Sequence, residues 1–310
     1  MSKDLRGMGG SIVAIATPFH EAGLDVESLE QLCERQIARG TTAIVVCGST
    51  GEASSLNTAE HALAVRTVVQ AAGGRVPVIA GCTAAATWAS VALAETAARA
   101  GADGLLCAAP PYVKPTQDGV FAHMRAINQA CDLPIILYDV PSRSGTAIAD
   151  ATVAGLFQQG IIVAIKDATA DLARPPRLRA VCGAGLVQLS GDDATAAAHR
   201  GMGGHGCISV TANVTPRMCA MLHHAWDSQD RTAFERLRDR LDPLHAALFS
   251  ETNPVPLKFA LAHLGLCSGR VRLPLTRAQP HARQRVRQAL SLAMADEETI
   301  AAPRCYALAS

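Results

Sequence analysis

The chain alternates short apolar runs with longer amphipathic segments along most of its 310 residues. One unit consists of an apolar run at 43–47 and a segment at 58–72 with helical spacing of its apolar residues. Short apolar runs without polar alternation are typical of strands buried on both faces, as in parallel sheets. Eight strand–helix units fit a closed barrel. We therefore predict an α/β fold, a (β/α)8 TIM barrel with a C-terminal helical extension.

The predicted elements divide the chain into three parts. The predicted strands are 12–19, 43–47, 76–81, 105–109, 135–140, 162–166, 186–190 and 207–211. The predicted helices are 26–39, 58–72, 88–100, 117–130, 150–158, 172–181, 194–199, 216–227, 231–248, 256–266 and 281–295. We expect the barrel at 1–226, a C-terminal helical region at 227–298 and a frayed tail at 299–310. The alternative, an open doubly wound sheet, lacks a Gly-x-Gly-x-x-Gly after its first strand.

The composition limits the classes of function. The net charge is +1 and no long run of like charge occurs, so we expect neither nucleic acid nor an anionic membrane as a partner. The apolar runs are far shorter than a membrane span. The ten cysteines form no Cys-x-x-Cys pair and the ten histidines show no metal-ligand spacing. We therefore expect a cytoplasmic protein without disulfides, metal or cofactor.

One strand-like stretch near the middle of the chain ends in a lysine. Residues 161–165 are apolar and run directly into Lys166. Burial disfavours the charged form of an amine, and a neutral amine is a nucleophile towards carbonyl carbon. The plain alternative is that Lys166 emerges into solvent where the strand ends.

Further polar groups follow other predicted strands, and the carboxyl ends of barrel strands are where the chemistry of such folds lies. They are Ser49, Thr50, Tyr112, Tyr138, Arg143, Asp192 and Asp193. Each type has a structural alternative: a turn hydroxyl, a packed aromatic, a solvated charge or a helix cap. Their joint occurrence at matched strand ends favours a catalytic site around Lys166.

Six stretches carry a resemblance to a known family. They are GSTGE at 48–52, YDVPSR at 138–143, AIKDAT at 164–169, LSGDD at 189–193, GGHGCISVTAN at 203–213 and NPVPLK at 253–258. In these stretches the chain resembles the dihydrodipicolinate synthase branch of the pyruvate-dependent class I aldolase and N-acetylneuraminate lyase superfamily. The resemblance extends from Gly10 to about Ala295.

The resemblance implies a lyase of lysine and diaminopimelate biosynthesis. Its partners are pyruvate and aspartate semialdehyde, and its product is 4-hydroxy-tetrahydrodipicolinate. Lys166 matches the residue that forms a Schiff base with pyruvate. Tyr138, Ser49 and Tyr112 match a relay of hydroxyl groups that moves protons. The family also implies a homo-oligomer, a dimer or a dimer of dimers (a homotetramer), in which Tyr112 reaches into the neighbouring subunit's site.

Four further residues match positions that bind substrate in the family. Thr50 matches the residue that holds the pyruvate carboxylate. Arg143 matches the arginine that meets the carboxylate of the aldehyde, where a planar fork suits bidentate binding. Gly191 and Ile208 match residues that line the pocket of the Schiff base.

Three positions depart from the pattern of the synthase branch. Ser49 stands where threonine is usual, as in the sialic acid lyase branch; Asp139 replaces an asparagine and Pro111 an aromatic residue. These departures leave a paralogous pyruvate-dependent aldolase or dehydratase as an alternative, although Arg143 argues against sugar acids. A catalytically silent barrel is a second alternative, and the presence of Lys166 argues against it.

Free lysine is expected to inhibit this protein weakly or not at all. Where lysine-sensitive relatives have histidine, asparagine, glutamate and tyrosine, this chain has Thr58, Ala85, Ala89 and Pro111; His61 keeps its type. Loss of the glutamate alone removes a charge-assisted hydrogen bond of about 1.5–3 kcal/mol, which is about tenfold or more in affinity. The measurement is the initial rate at saturating pyruvate against rising lysine. Strong inhibition at sub-millimolar lysine would contradict this interpretation of the alanines.

Overall fold

Eight strands of this protein close into a parallel barrel. The computed structural model describes residues 5–300 and contains, in these residues, the eight barrel strands and two further short strands. The strands are β1 (Gly10–Ala14), β2 (Phe19–His20), β3 (Gly23–Leu24), β4 (Ala43–Val46), β5 (Val78–Gly81), β6 (Gly104–Ala108), β7 (Ile135–Asp139), β8 (Ala164–Asp167), β9 (Val187–Ser190) and β10 (Gly206–Ser209). The barrel order is β1-β10-β9-β8-β7-β6-β5-β4, and β4 pairs with β1 to close it. The predicted (β/α)8 TIM barrel is confirmed.

Helices connect the strands and extend the chain beyond the barrel. They are α1 (Val26–Ala38), α2 (Thr58–Ala72), α3 (Thr87–Arg99), α4 (Gln117–Ala130), α5 (Pro141–Ser144), α6 (Asp150–Gln158), α7 (Arg174–Cys182), α8 (Asp193–Gly201), α9 (Pro216–Asp227), α10 (Arg231–Leu248), α11 (Val255–His263) and α12 (Pro280–Thr299). Helices α10, α11 and α12 pack against one another and form the predicted C-terminal extension. None of the helices in residues 5–300 combines the length and the apolar character that a membrane crossing requires.

Local signals fix where the helices begin and end. At the start of α2, the Asn57 side chain accepts a hydrogen bond from the Glu60 amide, and the Glu60 carboxylate accepts one from the Asn57 amide. This capping box satisfies two amides that the helix itself leaves free. Gly73 ends the helix with φ 54°, a left-handed conformation that favours glycine. The predicted bounds of α2, 58–72, are therefore confirmed.

The predicted first strand, 12–19, is wrong. Strand β1 ends at Ala14, and β2 and β3 form a separate two-stranded antiparallel sheet. Pro18 has no amide hydrogen to donate to a strand ladder. The amide of Ala16 donates to the Asn213 side-chain oxygen at 3.0 Å, so the chain leaves the barrel before Pro18.

The last helix ends at Thr299, later than the predicted 295. The Glu297 side chain is fully buried. It accepts hydrogen bonds from Arg39 Nη1 at 2.8 Å and from the Met218 amide at 2.9 Å. The end of α12 is a polar stretch whose sequence lacks helical periodicity. These contacts keep it helical. The prediction of a frayed tail at 299–310 falls mostly on residues 301–310, which lie outside the described residues.

The apolar core has two layers, one inside the barrel and one between the strands and the helices. Ile136 and Tyr138 of β7 belong to the inner layer, whereas Leu137 belongs to the outer one. This alternation follows from the two-residue period of a strand. By the same period, Lys166 of β8 has its side chain inside the barrel and Asp167 has its side chain outside. The direction of the strands and this alternation together determine which polar side chains lie inside the barrel at its carboxyl end.

A buried histidine outside the barrel has a pKa well below its ordinary value. His223 lies on α9 with 4% of its surface exposed. Burial lowers the pKa of its imidazole to about 3, and the nearby Arg200 and His199 act in the same direction. The native protein thus keeps His223 neutral at pH values where an unfolded chain takes up a proton.

We expect the free energy of unfolding to fall as the pH drops from 6.5 towards 3, the interval between the ordinary and the lowered pKa of His223. Between pH 7 and pH 5 this group alone should remove about 2 kcal/mol. Urea unfolding of the wild type and of His223→Leu at both pH values measures the effect, because the variant lacks this titration. His20→Gln, at an exposed position, serves as the control and keeps the wild-type dependence on pH. Equal pH dependence in the wild type and His223→Leu would contradict the assignment.

Candidate active site

The register of three neighbouring strands brings Lys166 beside Tyr138. Tyr138 of β7 pairs with Lys166 of β8, and Lys166 pairs with Leu189 of β9. Lys166 is 6% exposed, and its Nζ lies 4.3 Å from the centre of the Tyr138 ring. The structure therefore places the amine inside the carboxyl end of the barrel, against an aromatic ring, and not in open solvent.

Gly191, directly after β9, leaves room for the stem of Lys166, and Ile208 lies on β10. A Cβ atom at Gly191 would lie 3.1 Å from Lys166 Cε and 2.9 Å from Ala168 Cβ, closer than side chains normally pack. Only glycine leaves room for the lysine at this position. Ile208 of β10 is 1% exposed and belongs to the same inner layer as Tyr138. Both residues thus lie in the inner part of the barrel, as the predicted pocket requires.

The loop of residues 48–52, which follows β4, carries two of the predicted hydroxyl groups. Ser49 lines the cleft at the end of the barrel. Thr50 is buried, and its Oγ1 accepts a hydrogen bond from Asn253 Nδ2 at 3.0 Å. Thr17 Oγ1 donates to the carbonyl of Gly51 at 2.8 Å and so ties the loop to the segment after β1. The loop is held from two sides.

The cleft over these groups has a volume of about 300 Å³. Ser49, Tyr138 and Arg143 line it together with Asn253. Arg143 lies on α5, a short helix that the sequence analysis missed, and its Nη2 donates to the Asn253 carbonyl at 3.2 Å. The rest of its guanidinium group is available to a ligand carboxylate at the rim. The arrangement suits a small carboxylate-bearing carbonyl compound next to Tyr138.

Tyr112 does not join this cleft within one chain. It is 93% exposed, with φ 74°, while the neighbouring Pro111 does line the cleft. Of the eight predicted site residues, Ser49, Tyr138 and Arg143 line the cleft. Lys166 contacts the Tyr138 ring, and Gly191 leaves room for its stem. Thr50 and Ile208 are buried and do not line the cleft, and Tyr112 lies outside it. The participation of Tyr112 in a neighbouring subunit's site stays a prediction.

A buried charge network lies behind the site, on the outer face of β7 and β8. Arg174 Nη1 lies 2.6 Å from Asp139 Oδ2 and 3.5 Å from Asp167 Oδ2, and its Nε lies 2.9 Å from Asp150 Oδ1. Burial raises the pKa of the Asp139 carboxyl, and the hydrogen bond from Arg174 opposes this rise. The sequence analysis gave Arg174 no role. Asp139 and Asp167 alternate along their strands with Tyr138 and Lys166, so their side chains face outward from the barrel. Two carboxylates buried there require a buried cation, and Arg174 is that cation.

A cysteine thiol in the cleft wall is another nucleophilic group, but it stays protonated. Cys47 is buried at the end of β4 and lines the cleft. Burial raises the pKa of its thiol to about 12, so the thiol keeps its proton at neutral pH. The thiolate is the reactive form of cysteine. Cys47 therefore does not compete with Lys166 as a nucleophile.

A larger cavity of about 730 Å³ lies between α8, α9 and α10, outside the barrel. Trp226 and Phe234 form part of its wall, with ring centres 5.1 Å apart. None of the site residues predicted from the sequence lines it. Size alone does not make a site, and the smaller cleft is the one whose wall includes Ser49, Arg143 and Tyr138, the residue that contacts the buried Lys166 amine.

Comparison with known proteins agrees with this geometry. The model of the Dihydrodipicolinate synthetase family matches residues 7–293. The chain belongs to this family. A relative from Rhodospirillum centenum, named 4-hydroxy-tetrahydrodipicolinate synthase, is 46% identical over 281 residues, which cover 91% of this chain and 97% of the relative.

Solved structures of the dihydrodipicolinate synthetase family share the whole barrel. Dihydrodipicolinate synthase from Aquifex aeolicus has a TM-score of 0.89 and 39% identity, and the match covers 92% of this chain and 97% of that one. The chloride-inhibited dihydrodipicolinate synthase from Acinetobacter baumannii, solved in complex with pyruvate, has a TM-score of 0.89 and 40% identity, with coverage of 92% and 99%. The predicted family is confirmed.

We expect Gly191→Ala to stop reductive trapping of Lys166 by a small keto acid and borohydride. The added methyl group occupies the space of Lys166 Cε, and the backbone at Gly191 tolerates alanine because its φ is not positive. The measured quantity is the trapped fraction by mass spectrometry, with circular dichroism to verify folding. Gly201→Ala is the matched control, since its new Cβ would meet only Trp226, at 3.8 Å. Normal trapping in a folded Gly191→Ala would show that the lysine does not need this space.

Proposed function

We propose that this protein condenses pyruvate with aspartate semialdehyde to give 4-hydroxy-tetrahydrodipicolinate, in the biosynthesis of diaminopimelate and lysine. The observation that carries the proposal is the buried Lys166 amine, 4.3 Å from the ring of Tyr138, which lines a cleft together with Ser49 and Arg143. Membership of the dihydrodipicolinate synthetase family and the names of the relatives support it. The reaction needs no redox step and no external cofactor.

The first half of the reaction activates pyruvate. Lys166 Nζ adds to the ketone carbon of pyruvate, and loss of one water gives a protonated imine. The positive nitrogen withdraws electrons, so a proton leaves the methyl group and an enamine forms. We assign the proton transfers of these steps to Tyr138 and Ser49. Thr50, which the Asn253 amide holds at 3.0 Å, is the proposed partner of the pyruvate carboxylate.

The second half joins the two substrates and frees the lysine. The enamine carbon attacks the aldehyde carbon of aspartate semialdehyde, and the aldehyde oxygen takes up a proton to become the hydroxyl group. The amine of the same substrate then attacks the imine carbon and displaces Lys166, which closes the ring. In total, one pyruvate and one aspartate semialdehyde give the ring and one water. Arg143 at the cleft rim binds the carboxylate of the aldehyde.

The aldehyde partner is tested by a coupled assay with the reductase that consumes the product. We expect turnover with pyruvate and aspartate semialdehyde, and a fall of roughly a hundredfold or more in kcat/KM for Arg143→Ala, because a charged ligand group loses its bidentate partner. Lys3→Ala, at the amino terminus, is the control. Condensation of pyruvate with another aldehyde, and none with aspartate semialdehyde, would establish the paralogous aldolase instead.

We further propose that the active form is a homo-oligomer, a dimer or a dimer of dimers, in the cytoplasm. Large side chains stay exposed on one chain: Tyr112 at 93%, Trp88 at 77% and Val113 at 56%. Exposed apolar side chains of this size are typical of surfaces that another subunit covers. The free thiols of the nine cysteines in residues 5–300 fit a reducing compartment.

We expect mixed subunits to recover activity that neither variant has alone. Tyr112→Phe lacks the hydroxyl group that one subunit lends to its neighbour, and Lys166→Ala lacks the amine. In a hybrid oligomer, a site with an intact amine can receive an intact Tyr112 from the other chain. The coupled assay after mixing, with native mass spectrometry to verify exchange, measures this recovery. Exchange without recovered activity would contradict the shared site.

A further inference from the structure

The C-terminal extension holds the loop that carries Ser49 and Thr50. Besides the hydrogen bond from Asn253 to Thr50, a second contact connects α11 to the end of this loop. Lys258 Nζ lies 3.1 Å from Glu52 Oε1, and both side chains are almost completely buried, at 0% and 1% exposure. Two residues that are 206 positions apart in the chain thus form an ion pair beneath the cleft.

Lys258 is fixed by more than the carboxylate. Its Nζ also donates to the Arg270 carbonyl at 2.8 Å and lies 4.4 Å from the centre of the Phe19 ring. Burial lowers the pKa of Lys258, and the charge of Glu52 opposes this effect. The amine is therefore surrounded by partners that favour its charged form and hold it in one place.

Glu52 is held at both carboxylate oxygens by the same part of the chain. Its Oε2 accepts a hydrogen bond from the Arg272 amide at 2.9 Å. The Arg272 side chain donates to the Ser55 carbonyl at 2.9 Å and forms an ion pair with Glu60. The segment at 270–272 and helix α11 thus contact both the loop and the turn that follows it.

The loop needs such support, because its backbone is strained at the point of attachment. Glu52 has φ 53°, a left-handed conformation that is unfavourable for a residue with a side chain. A buried ion pair seldom stabilises a fold more than apolar residues of the same size would at the same positions. Its value here lies in fixing one geometry.

We propose that the Lys258–Glu52 ion pair is a positioning device by which the C-terminal extension sets the geometry of residues 48–52 for binding the keto acid. Glu52 and Lys258 act through Ser49 and Thr50. The proposal rests on the proposed function for its kinetic readout and is independent of it for its structural one.

The test compares Lys258→Met and the isosteric Glu52→Gln with a matched control. The control is Glu297→Gln, which removes an equally buried carboxylate from an ion pair with Arg39, outside this loop. The structural readout is hydrogen exchange of the amides of residues 48–55. We expect faster exchange in both loop variants and wild-type exchange at 48–55 in the control, even where the melting temperatures fall alike.

The kinetic readout is the pyruvate concentration that gives half-maximal borohydride trapping of Lys166. We expect it to rise roughly ten- to a hundredfold in Lys258→Met, because small displacements of positioning groups cost effects of this order. Glu297→Gln keeps the wild-type value. If Lys258→Met does not fold, Glu52→Gln decides, with a smaller expected rise of at least about threefold, since a neutral amide still accepts the hydrogen bond of Arg272.

Two results separate the two proposals. Wild-type values of both exchange and half-saturation in the folded loop variants would overturn the positioning role of Lys258 and Glu52. A wild-type protein that pyruvate and borohydride do not modify would instead overturn the proposed function. Hydrogen exchange at 48–55 would then still decide whether the ion pair holds the loop.

Discussion

The site depends on the hydrogen-bonded register of β7, β8 and β9. Because Tyr138 pairs with Lys166, and Lys166 with Leu189, three residues at equal height point into the barrel. A shift of one residue would turn every side chain of β8 to the other face and would replace Lys166 by Asp167 inside the barrel. Closure of the barrel by the β1–β4 pair leaves no free edge at which such a shift could begin.

The two buried lysines differ in the groups that surround them. Lys258 is completely buried in an ion pair with Glu52 and a hydrogen bond to a carbonyl. Lys166 has no carboxylate within ion-pair distance among residues 5–300, and the acids next to it along the strands are bound by Arg174 on the outer face. The outer network thus binds these carboxylates away from the Lys166 amine, which on the inner face contacts the Tyr138 ring.

Sequence reasoning succeeded where the signal is local. The helical spacing of the apolar residues at 58–72 and the apolar run before Lys166 lie within the elements that they predict, so the barrel and most helix bounds could be predicted. Contacts between distant parts of the chain could not be predicted in this way. The link from Asn253 to Thr50 spans 203 residues, and β1 ends early because Asn213 binds the Ala16 amide.

One further signal was present in the sequence but was not used. Lys258 lies in the apolar helix α11 with Leu257 and Phe259 on either side, and a lysine in such a helix requires a buried partner. That partner, Glu52, was visible only as part of the GSTGE stretch. The predicted role of Tyr112 has a different limit, because a contact with a neighbouring chain cannot be derived from one chain alone.

The central claim is that Lys166 is the residue that bonds to the substrate, and peptide mapping after reduction tests it most directly. The protein is incubated with pyruvate and borohydride, digested, and analysed by tandem mass spectrometry. The account predicts a single adduct, on the peptide that contains Lys166, and an unmodified Lys258. An adduct on Lys258, or a protein that stays unmodified at saturating pyruvate, would contradict it.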